Sequence, residues 1–226
     1  MALAFETFVL AAATADLDDE SAARPHADVI EFRMDMADRP REQLERYDGE
    51  LTLILTNRPT WEGGNASGSE RDRLETLLAG AEHPAVGAVD VEQGVLTGKP
   101  PIDIRARAAE TDVAVIASTH DFESTPDREE MLETLRTGAA LGDVAKLAVT
   151  AEGVDDVLDL LAVTHAAATA GDRVATMAMG AAGRHSRAIA PIYGSRIGYA
   201  PVDPRRATAP GQYDIQTLSA LIPKLQ

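Results

Sequence analysis

The sequence predicts an α/β protein of the (β/α)8 TIM-barrel class that forms a single domain over residues 1–226. Three observations lead to this prediction. Eight apolar runs have the length of a strand, helical segments separate most of them, and 226 residues is a usual length for such a barrel. The alternative is an open, doubly wound parallel sheet, which would follow if two of the eight runs were not strands.

The strands are expected where short apolar runs indicate burial on both faces of a parallel sheet. These runs cover residues 6–12, 29–35, 51–57, 85–92, 113–119, 144–150, 174–180 and 197–202. Helices are expected at residues 39–47, 70–79, 102–110, 127–137, 153–170 and 212–222. The connections after the first and seventh strands have no clear pattern.

Several helix ends carry recognisable signals. Ser69 or Ser67 is suited to cap the helix that begins at residue 70. For the helix after residue 126, Ser124 or Thr125 is the expected N-cap, with Pro126 in the first turn and acidic residues after it. Pro223 is expected to end the last helix.

The composition excludes several classes of function. The net charge of −16 disfavours binding to nucleic acid or to an anionic membrane surface, because both need basic residues. Lysine is rare: 18 of the 21 basic residues are arginine, and the acidic excess indicates adaptation to high intracellular salt, as in halophilic organisms. Cysteine is absent, which excludes disulfides and thiolate chemistry.

No apolar run approaches the length of a membrane-spanning helix, and the amino-terminal segment lacks the basic region of a signal peptide. The segment instead begins like a strand. The sequence therefore predicts a cytoplasmic protein without membrane association.

Lys146 is the residue that most needs a chemical explanation. It lies in the middle of the apolar run 144–150, yet a charged ammonium is among the groups least often buried. Burial favours the neutral amine, which is a nucleophile toward carbonyl groups. The structural alternative is a lysine at a sheet edge, whose stem packs while its head reaches water.

Polar residues recur at or after the ends of the predicted strands, where a barrel carries its active site. They include a lysine, a histidine, carboxylates and arginines, and they are Glu31, Arg33, Arg58, Glu62, Asp90, Glu92, His120, Lys146, Arg187, Thr208 and Gln212. Met177 and Met179 lie on one face of the seventh strand, where they act either as core filler or as substrate contacts.

Other interpretations of these residues remain open at this point. Glu31 and Arg33 could pair as a structural ion pair inside the barrel. His120 and Asp121 resemble metal ligands, but none of the other four histidines lies at a matching strand end, so we predict no metal site. The glycines at 180 and 183 form only a weak phosphate-binding signal.

The order and spacing of the motifs resemble those of the type I 3-dehydroquinate dehydratase family. The motifs are EFRMD, TNR with EGG, VDVE, STHDFESTP, AKLAV, TMAMGAAGRHSR and APGQ, and they extend from about residue 29 to residue 212. The resemblance implies a (β/α)8 fold, usually as a homodimer. It also implies dehydration of 3-dehydroquinate to 3-dehydroshikimate, in the shikimate pathway to aromatic amino acids, with no metal and no organic cofactor.

The resemblance further implies a role for each matched residue. Lys146 forms a Schiff base with the substrate, His120 transfers protons, and Glu62 orients the imidazole. The substrate-binding residues implied by motif or by strand position are Glu31, Arg33, Arg58, Asp90, Glu92, Met177, Met179, Arg187, Thr208 and Gln212. Among these, Arg187 is expected to bind the substrate carboxylate with help from Gln212, and Thr208 and Gln212 belong to a loop that closes over the substrate.

The sequence departs from the family pattern at two places. Thr208 occupies a position where serine is expected, although the hydroxyl is retained. The first strand has alanines at residues 11–13 and then Thr14, where the family often uses a hydroxyl residue to contact the substrate. Arg205 and Arg206, close to the closing loop, have no role that the resemblance explains.

Two other functions remain as alternatives. A different Schiff-base barrel of the class I aldolase type would use the same lysine but would need a site for a phosphorylated substrate. A binding or regulatory barrel would keep substrate affinity without forming a covalent bond, although the presence of both Lys146 and His120 argues against it.

Overall fold

In a computed structural model, which describes residues 2–206 and 211–225, eight parallel strands form one sheet that curls into a nearly closed barrel. The strands are β1 (Val9–Thr14), β2 (Val29–Arg33), β3 (Thr52–Thr56), β4 (Val86–Glu92), β5 (Ala114–His120), β6 (Val144–Thr150), β7 (Val174–Met179) and β8 (Ile197–Pro201). Their order in the sheet is β7-β6-β5-β4-β3-β2-β1-β8, which confirms the predicted barrel and excludes the doubly wound alternative.

The barrel closes between β7 and β8 through a few local contacts. The backbone N–H of Arg196 donates to the carbonyl of Val174 over 2.7 Å, and the N–H of Thr176 donates to the Ser195 hydroxyl over 3.0 Å. A side-chain oxygen thus accepts a hydrogen bond that a strand carbonyl accepts elsewhere in the sheet. We call this junction the β7–β8 seam.

Helices surround the sheet at most of the predicted positions. They are α1 (Glu20–Ala23), α2 (Pro40–Glu45), α3 (Glu70–Gly80), α4 (Gln93–Thr97), α5 (Ile104–Glu110), α6 (Arg128–Leu141), α7 (Val154–Ala170), α8 (Gly180–Gly183), α9 (Ser186–Ile189) and α10 (Ile215–Leu225). The connections that the sequence left undefined contain the short helices α1, α8 and α9. No helix in the described part of the chain combines the length and the apolar character needed to cross a membrane.

The sequence predicted one helix end correctly, the start of α3, and two wrongly, the start of α6 and the end of α10. Ser69 caps α3 by accepting from the N–H of Asp72, as predicted. The N-cap of α6 is Asp127, which accepts from the N–H of Glu130, because Thr125 donates its hydroxyl to the carbonyl of Thr150 instead.

Pro223 lies inside α10 instead of ending it. A proline in the last turn removes one backbone hydrogen bond, and the helix continues because Ile222 packs into the core. The tertiary contact thus outweighs the local stop signal.

The interior of the barrel is apolar near the amino-terminal ends of the strands. The side chains there include Val29, Ile54, Ile116, Val144 and Ile197, each at most 2% exposed. The segment before β1 covers this end: Phe5 packs against the apolar interior, and the N–H of Leu3 donates to the carbonyl of Gly87. The barrel is therefore a filled core at this end, and its accessible end is the carboxyl-terminal one.

Candidate active site

A pocket opens at the carboxyl-terminal ends of the strands. Its lining consists of Glu31, Arg33, Arg58, Glu62, Gly63, His120, Phe122, Lys146, Ala148, Met177, Met179, Arg187, Tyr199 and Gln212. Ten of the thirteen residues singled out from the sequence are in this lining. Strand pleating explains the convergence, because every second residue of a barrel strand points inward and all eight strands end at the same rim.

Lys146 lies inside the barrel on β6 with its side chain 5% exposed. Its Nζ donates to Asp90 Oδ2 over 2.8 Å, lies 4.0 Å from Glu31 Oε1, and stands 4.2 Å from the ring centroid of Tyr199. These contacts exclude the alternative of a lysine at a sheet edge. A charged group can be buried here because a carboxylate neutralises it.

Asp90 links Lys146 to Arg58 beneath the pocket. It is fully buried and accepts from Lys146 Nζ, from Arg58 Nη2 over 2.7 Å and from the Ser118 hydroxyl over 2.6 Å. Burial by itself would raise the pKa of Asp90, but the charges of Arg58 and Lys146 outweigh it and hold that pKa well below its usual range. Asp90 is therefore a permanent anion beside the lysine.

Glu92 pairs with two arginines. It accepts from Arg58 Nη1 over 2.8 Å and from Arg73 Nη2 over 2.7 Å. Neither Asp90 nor Glu92 is in the pocket lining, and both are fully buried. Asp90 holds Lys146 and Arg58 in position and Glu92 holds Arg58, while the contact of these two carboxylates with the substrate stays a prediction.

His120 and Glu62 form a second pair at the rim. His120 Nδ1 lies 3.1 Å from Glu62 Oε1, and the backbone N–H of His120 donates to the same oxygen over 2.9 Å. With the Nδ1 proton assigned to this contact, Nε2 remains as a proton acceptor. Burial, together with the positive charges of Arg58 and Lys146, lowers the pKa of His120 well below its usual value. The imidazole is therefore neutral near pH 7.

The pKa of Glu62 is also perturbed. Burial raises the pKa of Glu62 to about 7; Arg58 opposes this shift, while the negative charges of Glu92 and Asp90 add to it. Glu62 therefore titrates near neutral pH while His120 stays neutral there, and strongly perturbed pKa values of this kind are common among catalytic groups.

The Phe122 ring stacks on the imidazole of His120, with the ring centroids 5.8 Å apart and the planes 10° from parallel. Gly63, which has a φ of 75°, makes room for this ring, because a side chain at position 63 would collide with it.

Arg187, on α9, is a buried cation with unused donors. Its side chain lines the pocket, and within the described chain its Nε and Nη2 have no hydrogen-bond partner. Burial lowers the pKa of Arg187 to about 10, so the group still carries its charge at pH 7. A planar guanidinium with free donors facing a pocket is suited to bind a carboxylate.

Glu31 and Arg33 do not form the ion pair considered from the sequence. Arg33 forms a bidentate pair with Asp35, at 2.9 and 2.7 Å, while Glu31 accepts from the Thr56 hydroxyl over 2.9 Å. Both residues nevertheless line the pocket, so their remaining polar surface faces the cavity.

The remaining predictions concern loops around the pocket. Gln212 is part of the lining, whereas Thr208 lies outside the described residues. Thr14 is not in the lining, and its hydroxyl donates to Asp19 over 2.6 Å. Arg205 pairs with Asp203 on the exposed surface, and Arg206 lies 3.9 Å from Asp19.

Four lining residues were not singled out from the sequence: Tyr199, Phe122, Gly63 and Ala148. Tyr199 could have been found from the two-residue alternation of β8, which turns Ile197 and Tyr199 to the same side. Phe122 and Gly63 lie in loops, where no periodicity assigns a direction.

Among residues 2–206 and 211–225, no group of three or more histidine, aspartate or glutamate side chains is arranged to hold a metal ion.

Comparison with known proteins identifies the family. The model of the type I 3-dehydroquinase family matches residues 8–225. A 3-dehydroquinate dehydratase from Haloarcula marismortui is 54% identical over 225 residues, which cover 98% of each chain. One from Halobacterium salinarum is 46% identical and covers 98% of this chain and 99% of that protein. These relatives come from halophilic archaea, in agreement with the composition of this chain.

Solved structures of the same class share the fold. The crystal structure of 3-dehydroquinate dehydratase from Geobacillus kaustophilus is 28% identical, with a TM-score of 0.85, and covers 98% of this chain and 92% of that one. A type I 3-dehydroquinate dehydratase from Clostridium difficile, solved with a covalently modified comenic acid, is 26% identical with a TM-score of 0.83. The match covers nearly the whole length of the chain, and the chain therefore belongs to the type I 3-dehydroquinase family.

Proposed function

We propose that this protein is a hydro-lyase that converts 3-dehydroquinate to 3-dehydroshikimate and water through a Schiff base on Lys146. The observation that carries the proposal is the position of Lys146: its buried Nζ lies in the same pocket as the neutral base His120 and the cation Arg187, whose Nε and Nη2 have no partner in the described part of the chain. The reaction belongs to the shikimate route to aromatic amino acids and needs no metal or organic cofactor.

The first stage joins the lysine to the substrate ketone. The neutral Lys146 amine adds to the carbonyl carbon, and the carbonyl oxygen leaves as water with one proton from the nitrogen and one that His120 delivers from solvent. The product is an iminium, whose positive charge Asp90 offsets from 2.8 Å beneath the nitrogen. His120, which lines the same pocket, moves the protons between nitrogen and oxygen.

The second stage removes water from the carbon chain. Neutral His120 takes the proton next to the iminium, and the electron pair moves into the iminium to give an enamine. The enamine then expels the β-hydroxyl, which leaves as water with the proton from His120. Because one imidazole serves both transfers, the elimination is syn. Glu62 holds the ring at 3.1 Å and stabilises its transient positive charge.

The third stage releases the product, as water adds to the conjugated iminium and regenerates the lysine. Arg187 binds the substrate carboxylate throughout, with Gln212 and Thr208 on the closing loop. Glu31, Arg33 and Arg58 bind the ring hydroxyls, and Met177 and Met179 contact the ring. This arrangement uses the free donors of Arg187 and the polar lining of the pocket.

We also propose that the protein is a cytoplasmic homodimer that works in concentrated salt. The family resemblance supports the dimer, and the charge of −16 supports the preference for salt, because salt screens repulsion between acidic surfaces.

The proposal is tested by trapping the Schiff base. The protein is incubated with 3-dehydroquinate in concentrated salt, reduced with borohydride and mapped by peptide mass. The expected adduct lies on the peptide that contains Lys146. Lys146→Ala should lose both adduct and turnover, while the matched variant Lys99→Ala, at an exposed lysine, should keep both.

Two outcomes would contradict the proposal. Near-normal dehydration by Lys146→Ala would overturn the mechanism. A folded wild-type protein that gives no adduct and no turnover would overturn the function, and retro-aldol cleavage of a sugar phosphate would then identify the aldolase alternative.

A further inference from the structure

Tyr199 lies next to the proposed Schiff-base lysine inside the barrel. It is on β8, is 4% exposed and lines the pocket. Its ring centroid is 4.2 Å from Lys146 Nζ, so the ammonium stands over the ring. Its register partner on β1 is Ala11, whose small side chain leaves room for a large ring at this level of the barrel.

The Tyr199 hydroxyl has no hydrogen-bond partner in the described part of the chain, although it is buried. Buried polar groups in folded proteins are nearly always paired, so an unpaired hydroxyl beside a reactive lysine needs an explanation. Its position in a pocket suggests that the missing partner is the ligand.

The other donors near Lys146 have partners beneath the pocket or a proposed role elsewhere on the substrate. Arg58 donates to Asp90, Glu92 and Ser118 beneath the pocket. In the described chain, the other pocket side chain with buried unpaired donors is Arg187, which the proposed function assigns to the substrate carboxylate. The Tyr199 ring, which contacts Lys146, thus carries an unused neutral donor.

We propose that the Tyr199 hydroxyl donates a hydrogen bond to the substrate oxygen on the carbon that Lys146 attacks. This inference rests on the proposed function, because it concerns the step in which the Schiff base forms. It assigns to Tyr199 a direct contact with the reacting atoms, in addition to its contact with Lys146.

The chemistry of the addition requires such a donor. When the amine adds to the carbonyl carbon, the π electrons of the C=O bond move to the oxygen, which stays negative until it is protonated. The carboxylates nearest to Lys146, Asp90 and Glu31, only accept hydrogen bonds when ionised and would repel this charge. A neutral hydroxyl stabilises it without adding a competing cation.

The hydroxyl is suited to act as a donor throughout the cycle. Burial, reinforced by the negative charges of Asp90 and Glu31, raises the pKa of Tyr199 well above its usual value. Tyr199 therefore keeps its proton and stabilises by hydrogen bonding alone, while His120 carries the protons.

The test is Tyr199→Phe, which keeps the ring and its contact with Lys146 and removes only the hydroxyl. The protein is mixed with 3-dehydroquinate, quenched with borohydride at increasing times, and the adduct is quantified by intact mass. We expect adduct formation to slow about 10²-fold, as for loss of one oxyanion donor, with the final adduct yield and the thermal midpoint retained. Tyr193→Phe, at an exposed tyrosine, should match the wild type.

The outcomes separate this inference from the proposed function. If the wild type forms the adduct and Tyr199→Phe forms it at the same rate, the inference is wrong and the proposed function stands. If Tyr199→Phe lowers the final yield and the thermal midpoint but not the rate, Tyr199 is structural and the inference is again wrong. If the folded wild type forms no adduct, both are overturned.

Discussion

The two halves of the barrel interior are built on the same strands but have opposite chemistry. On β6, Val144 and Lys146 are two residues apart and both point inward; on β2 the same step leads from Val29 to Glu31. The lower half, at the amino-terminal ends of the strands, is apolar and is covered by the segment that contains Phe5. The upper half, at the carboxyl-terminal ends, holds the pocket. A step of two residues along a strand therefore separates the side chains that stabilise the fold from those that perform the chemistry.

The two halves differ in their energetic effect. Burying alkyl side chains in the lower half stabilises the fold. Burying the charges of Arg58, Asp90 and Lys146 in the upper half carries a desolvation cost that their mutual contacts must first offset, so these contacts add little net stability. Substitutions in the two halves should therefore separate activity from stability.

The largest effect on activity alone is expected from His120→Ala. Loss of the base should lower kcat by about 10²–10⁴-fold, because both proton transfers of the elimination lose their carrier. Some Schiff base should still form and be trapped by borohydride, and the thermal midpoint should change little. Full kcat in this variant would show that another group is the base.

Ile116→Ala should lower the stability of the fold and leave the activity unchanged. Ile116 is fully buried in the lower half, and its truncation should lower the free energy of unfolding by about 2–5 kcal/mol. Denaturant unfolding at fixed salt measures this, and kcat of the folded fraction should match the wild type. A large loss of kcat without a loss of stability would contradict the division between the halves.

Arg187→Ala should act mainly on substrate capture. We expect KM to rise about 10- to 10²-fold, the effect of losing charged hydrogen bonds to a carboxylate, with a smaller change in kcat. The free energy of unfolding should not fall, since the variant removes a buried cation without a partner in the described chain. Arg71→Ala, at an exposed arginine on the outer helix α3, is the matched control and should leave KM unchanged.

The smallest expected effect is a shift in the pH dependence of kcat/KM. His120 must be neutral to act as a base, and burial with Arg58 and Lys146 lowers its pKa below the ordinary 6.5. The base form is present above the lowered pKa, so kcat/KM should rise with pH and reach its plateau already below pH 6.5. Since Glu62 has a pKa of about 7 and adds a limb of its own, the contradicting outcome is read in Glu62→Gln: an acid limb centred at or above 6.5 there would mean that the charges of the upper half do not act on the imidazole.

The sequence was sufficient for the features that repeat. Alternating apolar runs and helical segments predicted the barrel, and polar residues at strand ends, such as Glu31 and Lys146, predicted the rim. Local rules failed where tertiary contacts competed with them: Thr125 bonds to Thr150 instead of capping α6, and Ile222 keeps α10 intact across Pro223.

The depth of a residue in the pocket was the other property beyond the reach of the sequence. Asp90 and Glu92 share the inward face of β4 with the apolar Ala88, and only the three-dimensional contacts show that arginines cover them. The role of Tyr199 was missed because an aromatic residue in an apolar strand is first interpreted as core.

The β7–β8 seam bears on how this barrel could be redesigned. Few backbone hydrogen bonds cross it, and the Ser195 hydroxyl accepts one of them. Arg187 follows β7 and Tyr199 lies on β8. The separation of β7 from β8 at the seam therefore affects the distance between these two side chains. A designer who wants a longer keto acid in the pocket would widen the barrel here, because each of the other pairs of adjacent strands is joined by a parallel ladder of at least four residue pairs that would have to be broken.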